Sequence, residues 1–390
     1  MSGTDIALIA GLVIAFVAGA RRGLLGTLAM VCGFIVGAIL AGFAIPWATG
    51  QLPSQHWRVP IAVALALFLP IGGARLGGYL GTAARANADG TRLGPFDRMA
   101  GATLSAAGLG LVYSLVASLL VSLGIPGLST AAASSQVVGA IERIIPAPAQ
   151  RLIAAARASE VPSAIASIGD IFGLGDQPAV PTFATQTPQI RTALESVAAI
   201  SGAAVACGIT SSGSGFFVDA SHVMTNAHVV AGVNKPIIQA PGGYASSGIV
   251  VYFDEGSDVA IIKVKDEGPR PLALVPNMAK GSRALVAGYP YGGPLSVGNA
   301  IVTYVGKGAF QTQDGKTTPR RQMYAMAADI EPGNSGGPVL TESGEVAGMV
   351  FAASTTAKNL GYALSASEIE PAMNKASSLS AAVPTGSCQS

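Results

Sequence analysis

Four apolar runs crowd into the first 123 residues, at positions 6–20, 24–47, 59–80 and 99–123, separated by short connections. A run of about 20 apolar residues is what a helix needs to cross a bilayer, where every backbone N–H and C=O must be satisfied within the segment. Composition agrees, since only 11% of the chain is charged against the ~25% usual for soluble domains. The first run competes with a secretory signal, but Arg21 and Arg22 follow it instead of preceding it, and no small-residue cleavage site leads into polar sequence. We read a bundle of four transmembrane helices over residues 1–124. The spacings Gly33 to Gly37 and Gly73 to Gly77 suit close helix contacts. Pro70 and Arg75 in the third run read as a kink and a snorkelling arginine.

Arginines orient the bundle. Arg21 and Arg22 lie in the first connection and Arg85, Arg92 and Arg98 in the third, whereas the second holds Arg58 and His56. Positive residues favour the cytoplasmic side, so both termini are expected outside the cytoplasm. Cysteine usage points the same way. Cys207 and Cys388 bracket the C-terminal region, and a bridge between them would suit an oxidising compartment. A formal charge of +2, with no basic run or aromatic platform, argues against nucleic-acid binding.

Residues 125–189 turn rich in Ala, Ser and Pro and read as short helices joined by extended links. Residues 177–189 read as a spacer, with self-cleavage there as a second role. From residue 190 onward short strand-like runs, among them 215–218, 237–239, 259–264, 283–286, 300–305 and 346–351, alternate with Gly, Pro, Asp and Ser turns. About 200 residues of this texture suffice for two small barrels.

Residues 329–338, D-I-E-P-G-N-S-G-G-P, present Ser335 between glycines in a short turn. An alcohol is a poor nucleophile unless a base takes its proton and a third group orients that base. Among three histidines, His228 lies in T-N-A-H-V-V, and Asp258 opens the apolar run D-V-A-I-I-K-V. The order His228, Asp258, Ser335 is the triad order found with two β-barrels. His222, outside any such motif, reads as a surface histidine.

With G-S-G-F-F at 213–217 added, these motifs resemble the trypsin-like serine proteases, especially the HtrA-type branch. The resemblance implies an all-β chymotrypsin-like double barrel at 190–390 and a serine endopeptidase needing no metal or cofactor. It implies His228, Asp258 and Ser335 as catalytic residues and the amides of Gly333 and Ser335 as the oxyanion hole. Asp329 matches the floor of the primary pocket, although an acid there can equally cap or brace the turn, and Phe351, Ala352 and Ala353 match the strand that pairs with substrate, although Phe351 reads equally well as core. Asn334 departs from digestive members, whose aspartate pairs with a new N-terminus, so control falls instead to the Cys207–Cys388 bridge or to cleavage upstream. The first 124 residues resemble the CvpA (colicin V production) family, and the combination is similar to MarP-type membrane-anchored serine proteases. That implies cleavage of extracytoplasmic protein substrates by an enzyme held in the cell membrane, in envelope maintenance or acid and oxidative stress. The alternative is a membrane scaffold or transport-associated protein whose protease-like part binds peptides without cutting them.

Overall fold

A computed structural model describes residues 3–50, 55–85, 94–122, 131–132, 135–144, 166–168, 172–180, 182–204, 209–309, 319–354 and 356–386. Cys207 and Cys388 fall outside the described residues, so the expected bridge does too. The chain divides into two compact units, Met1–Leu115 and Val116–Ser390.

In the first unit three helices carry the apolar runs: α1 (Gly3–Gly50), α2 (Gln55–Arg85) and α3 (Gly94–Ser122). A straight helix as long as α1 would reach about 72 Å, more than twice a bilayer's ~30 Å hydrocarbon core. It is not continuous, because Gly23 adopts φ 71° and ψ 178°, a conformation open to glycine and costly to other residues. The break frees the Leu24 amide, which donates to Asp97 Oδ1 of α3 at 2.9 Å. The two expected helices at 6–20 and 24–47 are therefore the two halves of α1. Before the break, Gly11 and Gly19 lie against Tyr113, Leu109, Gly101 and Ser105 of α3; after it, Gly33 and Gly37 lie against α2. A Cβ on Gly33 would collide with the Gly73 carbonyl, and one on Gly73 with the Gly33 carbonyl, so both glycines are needed for this approach. Leu25, Phe34, Ile35, Phe43, Phe68, Leu76 and Leu80 are exposed, an apolar surface that suits lipid. Among the described residues, one helix, Gly3–Ile45, with an 18-residue stretch of mean hydropathy 2.5, is long and apolar enough to cross a membrane.

The second unit contains β1 (Ala166–Ile168), β2 (Val197–Ala204), β3 (Ile209–Phe217), β4 (His222–Thr225), β5 (Ile237–Ala240), β6 (Tyr244–Asp254) and β7 (Val259–Val264). There follow β8 (Arg283–Gly288), β9 (Ser296–Gly308), β10 (Arg321–Ala328), β11 (Pro338–Leu340), β12 (Val346–Ser354) and β13 (Leu360–Ser365). Strands β2-β3-β4-β7-β6-β5 close into one barrel. Strands β12-β11-β8-β9-β10-β13 close into a second through β12–β13 pairing, and β1 is added to it. Closure leaves neither barrel with a free edge strand. The first barrel is filled by Ile200, Phe217, Val223, Ile238, Val250 and Ile262, the second by Val286, Val302, Tyr324, Met326 and Val350. A third cluster joins Phe216, Met224, Val251 and Ile261 of the first barrel to Leu285, Met323, Met349, Phe351 and Tyr362 of the second. The barrels thus share an apolar seam, and the loops along it are held in fixed relation.

Residues 172–180 and 182–187, read from composition as linker, dock on the second barrel instead. Phe172 stacks on Tyr304 with ring centroids 4.4 Å apart, the Gln177 amide donates to the Lys358 carbonyl at 3.0 Å, and Asn299 Nδ2 donates to the Phe183 carbonyl at 3.3 Å. Apolar side chains at Phe172, Leu174 and Phe183 pack against the shared core and give the segment a reason to stay down. Thr187 then caps the helix α4 (Pro188–Leu194), its hydroxyl accepting from the Ile190 amide at 3.2 Å.

Candidate active site at the barrel seam

Asp258 sits where the β6–β7 turn ends, with φ at 56°, an uncommon value for a non-glycine residue. Its carboxylate is thereby aimed at the one-turn helix Ala227–Val230 that follows β4. Oδ1 accepts from the His228 backbone amide at 3.0 Å, and Oδ2 lies 2.9 Å from His228 Nδ1. Asn226, at the helix N-cap, turns its side chain the other way and donates from Nδ2 to the Asp258 carbonyl at 3.0 Å. Histidine and aspartate therefore fix each other through both backbone and side chain. The carboxylate engages Nδ1, so the other ring nitrogen is left for a different partner. His228 Nε2 is buried and has no hydrogen-bond partner among the described residues. An imidazole held this way is a base awaiting a donor.

Ser335 is 2% exposed and lies in the loop between β10 and β11. Its hydroxyl donates to the Phe351 carbonyl at 3.3 Å, not to His228. Gly333 and Gly336, on either side, have φ of 95° and 84°, and a Cβ at either would strike backbone, Tyr289 and Tyr291 in one case and Ser214 in the other. The Pro332 carbonyl accepts from the Tyr291 amide at 2.5 Å. Carbonyl and N–H point opposite ways across a planar trans peptide, so the Gly333 N–H is turned away from Tyr291. Among the described residues neither it nor the Ser335 N–H has an acceptor, which leaves both able to meet a ligand oxygen.

The other predicted residues are placed as follows. Asp329 is exposed, beside Tyr291; burial, then Glu331 and Asp329, push the Tyr291 hydroxyl above its ordinary range. The Phe351 ring is buried, 6.4 Å from Tyr362, while its carbonyl holds Ser335. Ala352 and Ala353 pair in parallel with Ala166 and Ser167 of β1, so an extended segment of the same chain lies along this strand. Among the described residues no cluster of metal-ligating side chains occurs.

His222 is not on the surface. It is 2% exposed, with Nδ1 2.8 Å from Asp219 Oδ2 and Nε2 2.9 Å from the Leu379 carbonyl. Burial works against ionisation of Asp219, but bonds from the Ser221 amide and from His222 outweigh it and hold the carboxyl below its ordinary range. This second His–Asp pair fastens the start of β4 to the C-terminal segment, and Ser221 Oγ lies 3.2 Å from the same Nδ1 that Asp219 holds.

Sequence reasoning missed Arg321. It is 2% exposed on β10, and its Nη1 donates to the Ser257 carbonyl at 3.1 Å, immediately before Asp258. Burial depresses its ionisation, while the carboxylates of Asp258, then Glu368 and Asp254, favour the charged form. The signal was register: Arg321, Met323 and Ala325 alternate along β10 toward the same side, which places a cation in an inward position.

Residues 213–349 match the trypsin-like peptidase domain, and residues 4–146 match the colicin V production protein. The serine protease Rv3671c of Mycobacterium tuberculosis is 29% identical over 403 residues, covering 99% of this chain and 98% of the relative. The putative serine protease HhoA of Synechocystis is 35% identical over 161 residues, 40% of each chain. The crystal structure of the Rv3671c protease in its active form aligns with a TM-score of 0.50 at 30% identity, covering 57% of this chain and all of that one.

Proposed function

Since this chain belongs to the trypsin-like serine proteases and is a serine endopeptidase, we propose that Ser335 is its nucleophile, His228 its general base and Asp258 the orienting acid. The observation that carries this is the His228–Asp258 pair, which leaves a buried Nε2 with no hydrogen-bond partner among the described residues, on a helix whose Val229 borders Gly213 together with the Ser335 carbonyl. In the reaction the Ser335 hydroxyl leaves the Phe351 carbonyl, gives its proton to His228 Nε2, and its oxygen bonds to the scissile carbonyl carbon. The carbonyl oxygen becomes an oxyanion that the Gly333 and Ser335 amides receive, an interaction typically worth several kcal/mol. Imidazolium then hands the proton to the departing amine, and water repeats the sequence to release the acyl group. A substrate strand adds to β12 at Ala352 and Ala353, the stretch along which β1 already lies.

The halves of α1 with α2 and α3 act as a four-helix membrane tether, with both termini outside the cytoplasm and protein substrates met there. Support comes from the exposed apolar faces and the colicin V production match. A role in envelope maintenance or in resistance to acid or oxidative stress is proposed from the resemblance to MarP-type membrane-anchored proteases; Rv3671c, similar over the whole chain, is a serine protease. The test is cleavage of an unfolded protein by the full chain in nanodiscs. Ser335→Ala and His228→Ala should each abolish it. Peptide binding without cutting by the wild type would favour the scaffold reading.

A further inference from the structure

We propose that Ser214, the serine of G-S-G-F-F, is a positioning residue that holds the oxyanion-binding amides in register. Ser214 is fully buried on β3, where an unpaired hydroxyl would cost free energy and a small apolar residue would cost none. Its hydroxyl is engaged as both donor and acceptor: Oγ donates to the Gly333 carbonyl at 2.6 Å and accepts from the Tyr289 amide at 2.9 Å. Its backbone is engaged too, the N–H donating to the Ser335 carbonyl at 2.8 Å and the carbonyl accepting from Thr225 Oγ1 at 2.7 Å.

Four successive carbonyls of the nucleophile loop are each tied down. Tyr291 N holds Pro332, Ser214 Oγ holds Gly333, Gly337 N holds Asn334 and Ser214 N holds Ser335. Planarity turns each tie into an orientation of the next N–H. The amides of Asn334 and Gly336 are directed to the carbonyls of Glu331 and Val350, and those of Gly333 and Ser335 are left free. Ser214 supplies two of the four ties, those that fix the intervening Asn334 and Gly336 amides, while Tyr291 and Gly337 hold the carbonyls that set the Gly333 and Ser335 amides. Its Tyr289 contact also steadies the turn whose Tyr291 amide sets the Gly333 N–H. Gly333, at φ 95° and without a Cβ, has little of its own to resist rotation once the hydroxyl is gone.

The inference rests on Ser335 being the nucleophile, and its test separates the two. Full-length protein in nanodiscs is inactivated by a fluorophosphonate, whose addition places an oxyanion where the amide donors lie, and kinact is resolved from KI. Ser214→Ala should lower kinact roughly 10- to 100-fold, short of the ~10²–10³ lost with a whole donor, with KI within about twofold. Ser214→Thr, which keeps the hydroxyl, should recover most of the loss, whereas Ser214→Cys, a close isostere with a weak donor, should not. Values are normalised to folded protein, so a merely structural role would leave kinact per folded molecule unchanged. Unchanged kinact in Ser214→Ala, or in Ser214→Cys if Ala fails to fold, overturns the proposal, as does a loss confined to KI. Labelling that survives Ser335→Ala would overturn the reading beneath it instead.

Discussion

Replacing Arg321 with methionine keeps most of the side-chain stem and removes the charge. In the folded protein the guanidinium donates to the Ser257 carbonyl and faces the carboxylates of Asp258, Glu368 and Asp254. A buried ion cluster swapped wholesale for apolar residues can be neutral, but removing one partner strands the others and costs about 3–5 kcal/mol. Asp254 and Glu368 are only partly buried, so the low end, about 3 kcal/mol, applies. For a unit of this size each kcal/mol moves Tm by ~2–4 °C, which puts Arg321→Met roughly 6–12 °C below wild type. Thermal melts of the full chain in detergent read the shift. Because Ser257 precedes Asp258, fluorophosphonate labelling well below Tm should slow as well. A melting point equal to or above the wild-type value would refute the reasoning, since the carboxylates would then need no cation.

Gly336→Ala puts a side chain at φ 84° against the Ser214 carbonyl and Thr225 Oγ1; beyond ~1–2 kcal/mol of backbone strain it should displace the nucleophile loop and abolish labelling, which gel fluorescence reads. The Asp219 carboxyl is held below its ordinary range, so its contribution is full above about pH 3.9 and is lost as the pH falls through the lower folded value. Asp219→Asn should therefore flatten the acid limb of a Tm-against-pH curve. Proline at Ser167 removes a backbone N–H from β1 and should loosen its pairing with β12, lowering KM for a cleaved peptide while kcat stays within about twofold.

The residues around Ser335, His228 and Asp258 were legible because each lies in a short local motif: a Gly-flanked turn, a one-turn helix with its asparagine cap, the first residue of a strand. The six strand runs read from 215–351 each fall on a strand of one or other barrel, since turn chemistry and β-branched runs are local signals too. Ser214 and Arg321 were not legible as site residues. Ser214 acts on Gly333, 119 positions away, and Arg321 on Ser257, 64 positions away, across a seam that exists only once both barrels close. His222 was misread for a related reason. Asp219 three residues earlier was a visible partner, but the second partner, the Leu379 carbonyl, is brought near only by the fold. Gly23 was read as part of a connection, and the structure narrows that connection to a single non-helical residue closed by Asp97.

The most direct test of the account is to label the full chain with a fluorophosphonate, digest it, and locate the adduct by mass spectrometry. A single adduct on Ser335 is predicted, absent from Ser335→Ala and strongly reduced in His228→Ala. An adduct on another serine, or equal labelling in the His228 variant, would contradict the assignment of nucleophile and base.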